Sequence, residues 1–125
     1  MPVSQTAARI TITPRKGRLI VRAAHILIAD TLRALVLKEG GYPPVLYIPR
    51  ADIDMTRLEP SAIRSHCPRK GQASYFSLAQ GGYRSTHIGW SYEQPHDAVA
   101  AIAGHIAFHP DRFIAIEEAR PEEQP

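Results

Sequence analysis

The chain has 125 residues, a formal net charge of +3 and a single cysteine, with 44% hydrophobic and 22% charged residues. This is an ordinary globular composition for one domain, and it excludes collagen, coiled coil, wholesale disorder and a disulfide scaffold. The longest unbroken apolar run, Ala98–Ala103, falls far short of the roughly 20 residues of a spanning helix, so no membrane association is expected.

Residues 1–8 read as a loose tail. Their opening, Met1-Pro2-Val3-Ser4-Gln5-Thr6, lacks a basic region followed by an apolar stretch, so no signal peptide is expected. With a lone thiol, that points to a reducing, cytoplasmic setting. The interior is punctuated like a β protein: short β-branched and aromatic runs separated by Pro and Gly. Arg9–Thr13 alternates, and Pro14-Arg15-Lys16-Gly17 reads as a turn. Leu19–Arg22 and His25–Ile28 read as strands. Thr31–Glu39 is ambiguous. Leu32, Leu35 and Val36 have helical spacing after an Asp30 cap, whereas Ala34–Leu37 suits a buried strand. The strand is favoured, because Gly40-Gly41-Tyr42-Pro43-Pro44 then joins it to Val45–Ile48 as a hairpin. Further strands are expected at Tyr75–Leu78, Thr86–Tyr92, His105–Phe108 and Phe113–Ile116, with Gly81-Gly82 as a hairpin turn. One short helix is expected over Ala98–Ile102, capped by Asp97 and ended by Gly104. Residues 117–125 read as an acidic tail, which leaves 9–116 as the domain. These elements predict a mainly antiparallel fold, either a small barrel or two packed sheets.

Charge is unevenly distributed: 12 basic residues against 5 acidic ones lie between Arg9 and Lys70. Arginine dominates, and its planar donor fork suits carboxylates and phosphates. A solvated surface is the plainer reading, and an anion-binding surface the sharper one. No basic stripe is interleaved with aromatics, so nucleic acid is not the expected partner.

Segments at Ile28–Thr31, Gly41–Arg50, Cys67–Tyr75, Trp90–Pro95 and Ile102–Asp111 follow one another in a specific order. In that order and spacing the chain resembles the domain of unknown function 427 family, over roughly Arg22–Arg112. The resemblance implies a β-tent related to Mss4-like proteins, in which two antiparallel sheets meet at an angle. Such folds often hold zinc between two Cys-x-x-Cys knuckles. Cys67 is the only cysteine here, so no structural zinc and no other cofactor is expected. The family also carries a nucleotidyltransferase label and no established reaction. Nucleotidyl transfer needs clustered carboxylates for Mg²⁺ and a phosphate cradle. Asp52 and Asp54 are expected to alternate on one strand face, without a P-loop beside them.

Inside the matched motifs lie the residues able to carry chemistry. Trp90 and Tyr92 share a strand face, and Tyr47 and Tyr75 could line a neighbouring wall; together they make either core or a pocket for a flat or cationic ligand. Arg50 could clamp an anion or pair with Glu93 or Asp52. Lys70-Gly71 could present an ammonium and a backbone N–H to an anion, or Gly71 could simply serve a turn. Cys67, with Arg69 and Lys70 near in sequence, is a reactive-thiol candidate or a small buried residue. His105 and His109, at i and i+4, would sit about 13 Å apart on a strand, too far to share a metal ion. The expected role is small-ligand binding, with anions among the ligands the basic residues suit, by Tyr47, Arg50, Lys70, Tyr75, Trp90 and Tyr92. The alternatives are a thiol enzyme using Cys67 (with Lys70), a nucleotide-handling enzyme using Asp52, Asp54 or Glu93, and a partner-binding or self-associating module with exposed strand edges.

Overall fold

A computed structural model describes residues 9–79, 87–110 and 114–119. It contains ten strands: β1 (Ile10–Pro14), β2 (Arg18–Ala23), β3 (Ile26–Thr31), β4 (Leu35–Glu39), β5 (Val45–Pro49), β6 (Leu58–Cys67), β7 (Gly71–Leu78), β8 (Gly89–Ser91), β9 (His105–Phe108) and β10 (Ile114–Ala119). They form two antiparallel sheets, a seven-stranded one in the order β1-β4-β5-β9-β8-β7-β6 and a three-stranded one in the order β10-β2-β3. The sheets do not close into a barrel, so of the two expected architectures the packed sheets are the one found. No helix among the described residues is long and apolar enough to cross a membrane.

The period-2 alternation of the larger sheet sorts its side chains into two clusters. Leu46 and Ile48 of β5, Ile106 and Phe108 of β9, and Phe76 of β7 pack with Leu19, Val21 and Ile28 of the smaller sheet. The intervening residues, Val45 and Tyr47 of β5, Ala107 of β9, and Ala73 and Tyr75 of β7, pack with Trp90, Tyr92, Val99 and Ile102. Both faces of the sheet are thus covered, one by the second sheet and the other by the Asp97–Ile102 segment. Space is short where β8 pairs with β9. There a Cβ on Gly89 would stand 3.0 Å from the Ala107 carbonyl oxygen and 3.2 Å from side-chain carbons of Ile106 and Phe108. Only glycine allows so close an approach.

Several expectations are corrected. The Asp97–Ile102 segment forms 3-10 turns, not an α-helix; Val99 breaks the winding at φ −125°, and His96 rather than Asp97 occupies the N-cap. Strand β6 is an addition to the expected elements, and it leads into the turn before the expected Tyr75 strand. His25 lies in the β2–β3 turn, where Ala24 and His25 both have positive φ, and not in the strand. A register shift between Val21 and Arg22 gives β3 an extra residue, so Ile28 and Ala29 are both buried although adjacent. Asp52 and Asp54 stand in successive 3-10 turns, one within the Arg50–Asp52 turn and one capping the next, and not on a strand. At the C-terminal end β10 runs through Ala119, past Ile116, where the sequence reading closes the domain. The Gly81-Gly82 turn, Thr86 and Phe113 lie outside the described residues.

Candidate functional site

Strand register builds the aromatic row. Tyr47 pairs with Ala107 across β5 and β9, Ala107 with Trp90 across β9 and β8, and Trp90 with Tyr75 across β8 and β7. Cross-strand partners lie on one face. Because Ala107 is small, Trp90 reaches over it: its Nε1–H donates to the Tyr47 hydroxyl at 3.3 Å, and the rings meet edge to face at 6.5 Å. Burial pushes the Tyr47 phenol up to about 12 despite the Trp90 bond, and burial likewise raises Tyr92 to about 12. Both phenols are therefore neutral across the physiological range.

A basic corner stands beside this row. Pro68 opens the β6–β7 turn, closed by a Lys70 N–H to Cys67 carbonyl bond of 3.2 Å, with proline at the position where its fixed φ is favoured. Gly71 follows at φ +119°, its Cα facing the Gln94 carbonyl and Pro95. That crowding fits the turn role expected of it. The Lys70 carbonyl accepts from His96 N–H at 2.9 Å, which ties the turn to the chain after β8. These contacts aim the Lys70 ammonium at Glu39, 3.0 Å away, with side-chain exposures of only 15% and 9%. Arg69 donates to the other Glu39 oxygen. The ammonium also lies 3.8 Å from the Cys67 sulfur and 5.9 Å from the centre of the Tyr92 ring. Burial works against charge on both partners. On Lys70 it is outweighed by Glu39, and the amine is raised above its ordinary value. On Glu39 it is outweighed by hydrogen bonds from Lys70 and Arg69, and the carboxyl is held below its ordinary range.

The corner opens into a cleft of about 770 Å³. Its polar end is Glu39, Arg69, Lys70 and Cys67. Its apolar walls come from Tyr42-Pro43-Pro44 in the β4–β5 turn and from Trp90, Phe108 and Pro110, with Ile116 and Glu118 of β10 on the side of the smaller sheet. His109 lines it too, its ring 4.4 Å from that of Trp90. Tyr42, 62% exposed, stands at the rim.

The structure therefore brings Lys70, Trp90 and Cys67 to one cleft and places Tyr47, Tyr75 and Tyr92 in the cluster behind it. Tyr75 turns its hydroxyl to Ser65, 2.6 Å away. Arg50 is elsewhere: it pairs with Glu93 and lies 5.4 Å from the ring of Phe76, in the cluster facing the smaller sheet. Sequence reasoning missed Glu39 and the stacking role of His109. The signal for Glu39 was its parity with Leu35 and Leu37, which points it inward. His105 instead bonds the Ala103 carbonyl at 3.0 Å.

The carboxylates that would hold a catalytic metal are dispersed. Asp52 is bound by Arg33 and Thr31, Asp54 by Thr56, and Glu93 by Arg50 and Ser91. Among the described residues no three His, Cys, Asp or Glu side chains come together as a metal site. A two-knuckle zinc site needs thiolates that a chain with Cys67 alone does not have. These donor sets do not fit either metal.

Fold and cleft define a mainly β protein of two antiparallel sheets, with an aromatic row on the larger one and a buried Glu39 carboxylate bound by Lys70 and Arg69. The chain belongs to the family described as Domain of unknown function (DUF427), whose model matches residues 11–119 and whose short name carries the nucleotidyltransferase label. No curated protein matches the chain.

Proposed function

We propose that the cleft binds a small ligand. Its flat or apolar part would lie among Trp90, His109, Phe108 and the Pro43-Pro44 wall, and an anionic group would face Lys70 and Arg69. The observation that carries this reading is the polar end of the cleft: the Lys70 ammonium, only 15% exposed, is held 3.0 Å from Glu39 at the edge of an aromatic wall. Small-molecule sites have this make-up, a largely apolar concavity with a few converging polar groups. Tyr47 supports the wall from behind by fixing the Trp90 indole, and Tyr92 lies under the ammonium.

Trp90 is the only tryptophan, so its fluorescence reports on the cleft alone. The full chain is titrated with inorganic phosphate, benzoate, indole-3-acetate, and nucleoside mono- and triphosphates with and without Mg²⁺, while melting is followed in the same samples. A ligand at 100 times its dissociation constant stabilises by about 2.7 kcal/mol. A compound that shifts both emission and melting, and loses about tenfold or more in affinity in Lys70→Met, supports the reading. A flat response throughout, or binding unchanged in Lys70→Met, overturns it.

A further inference from the structure

A second constellation lies outside the cleft, where β6 leaves its ladder with β7. Between the pairs Pro60–Phe76 and Arg64–Ser74 the register shifts, so that Ser61, Ala62 and Ile63 bulge opposite Tyr75 alone. Bulges re-aim side chains and are enriched next to active sites. This one turns the Ser61 hydroxyl toward the chain before β8, where its Oγ lies 3.0 Å from Nε2 of His87.

His87 is held for that contact from three directions. Its backbone N–H donates to Ser77 Oγ at 3.0 Å, its ring packs edge-on to Tyr75 at 5.7 Å, and Nε2 meets Ser61. The residue sits at φ +55°, a left-handed conformation that residues other than glycine rarely adopt. On the other partner, Ser61 Oγ accepts the Ile63 N–H at 3.0 Å, which leaves its own proton to be donated to His87. The Arg64 guanidinium is folded back on the same loop, with Nη1 2.6 Å from the Ser61 carbonyl oxygen and 3.0 Å from that of Ile63. Positive charge is thereby fixed against the serine's own backbone. Both Ser61 and His87 are partly exposed.

We infer that Ser61 and His87 form a nucleophile–base pair competent for acyl transfer from small activated carboxylic esters. Ser61 Oγ bonds to the ester carbonyl carbon as its proton passes to His87 Nε2. The carbonyl oxygen takes up the electron pair. The alkoxide then leaves as the carbonyl re-forms, and it takes the proton from His87. Water then adds to the acyl carbon as His87 takes its proton; the bond from that carbon to Ser61 Oγ breaks, the acid leaves, and His87 returns the proton to Ser61. A hydroxyl within hydrogen-bond reach of a positioned imidazole is the arrangement such chemistry uses.

Ser65 supplies the internal control, because its hydroxyl is exposed on the same strand but bonded to Tyr75 and not to a base. The wild-type chain is treated with a fluorophosphonate probe and, separately, with p-nitrophenyl acetate, and the adducts are mapped by peptide mass spectrometry. The expected result is modification of Ser61 over Ser65, lost in urea, absent in Ser61→Ala and slowed about tenfold or more in His87→Asn, since a general base contributes at least that much. Asparagine tolerates the left-handed conformation. No serine adduct, equal labelling of Ser61 and Ser65 in the folded chain, or an unchanged rate in folded His87→Asn overturns the inference. If His87→Asn does not fold, the Ser61 to Ser65 ratio in the wild type decides alone.

Discussion

Gly89 leaves no room for a side chain in the larger sheet, and one added carbon tests it. The Ala107 carbonyl that a Cβ would meet at 3.0 Å belongs to the ladder itself and cannot swing away as a side-chain tip would. Gly89→Ala is expected to destabilise by about 1–3 kcal/mol, as overpacking does, read as a lower urea midpoint at unchanged slope. An unaltered midpoint would show that β8 and β9 separate more easily than their pairing suggests. Single residues also show how far the site was legible. The convergence of Tyr47, Tyr75, Trp90 and Tyr92 in one cluster followed from alternation along strands whose polarity was clear. The same parity places Arg50 with Leu46 and Ile48, away from Tyr47, but its motif drew it into the expected pocket. Lys70 was found because its turn was conspicuous. Its partner Glu39 lies 31 positions back in the sequence, and nothing local joins the two.

At the scale of elements, legibility followed the amphipathic pattern. β1, β2, β4 and β5 alternate or carry β-branched runs between turn residues, and each formed about where those signals put it. β6 reads Leu-Glu-Pro-Ser-Ala-Ile-Arg-Ser-His-Cys and is exposed along most of its length. It is an edge strand with no buried face to impose a period, and its proline argued against a strand. The Ala98–Ile102 run misled in the opposite sense, since Val99 and Ile102 have the i, i+3 spacing that 3-10 turns and α-helices share. The β2–β3 hairpin gives the clearest test at this scale. Ala23 pairs with Ile26, so Ala24-His25 is a two-residue loop with φ of 50° and 73°. That is the type I′ geometry, which favours Asn-Gly. The double variant Ala24→Asn, His25→Gly removes left-handed strain of about 1–2 kcal/mol per residue. It should raise the urea midpoint by an equivalent of about 1–2 kcal/mol in all, because glycine returns part of the gain as unfolded-state entropy. A lower midpoint would mean that the His25 side chain contributes more than its backbone costs.

Across the whole molecule, ion pairs fasten elements that the ladders leave apart and, between β2 and β3, add to a ladder. Lys70 and Arg69 bind the β6–β7 turn to Glu39 at the end of β4. Arg50 binds the end of β5 to Glu93 beyond β8. Arg33 binds Asp52, and Arg18 of β2 binds Asp30 of β3. The exposed pairs among them contribute little singly, about 0.2–1 kcal/mol; the titration of all four carboxylates in common is what matters. The carboxyls of Asp30 and Asp52 are lowered from 3.8, first by the hydrogen bonds from Arg18 and Arg33 respectively. Those of Glu39 and Glu93 are lowered from 4.5, because their bonded partners outweigh the burial that opposes charge. All four bind protons more weakly in the folded chain than in the unfolded one. Their stabilisation is therefore complete above the unfolded values of 3.8 and 4.5, and it is lost as pH falls through the lower folded values. The melting temperature should be insensitive to these groups above about pH 5.5 and should fall steeply below pH 4.5. Glu39→Gln removes the most buried of the four carboxylates and leaves Lys70 without its partner. It should melt lower at neutral pH and show a shallower decline in acid, so that the two curves approach each other as pH drops. Parallel curves from pH 7 to 3 would show that the Glu39 carboxylate is not held by Lys70 and Arg69, and the charged end of the cleft would lose its anchor.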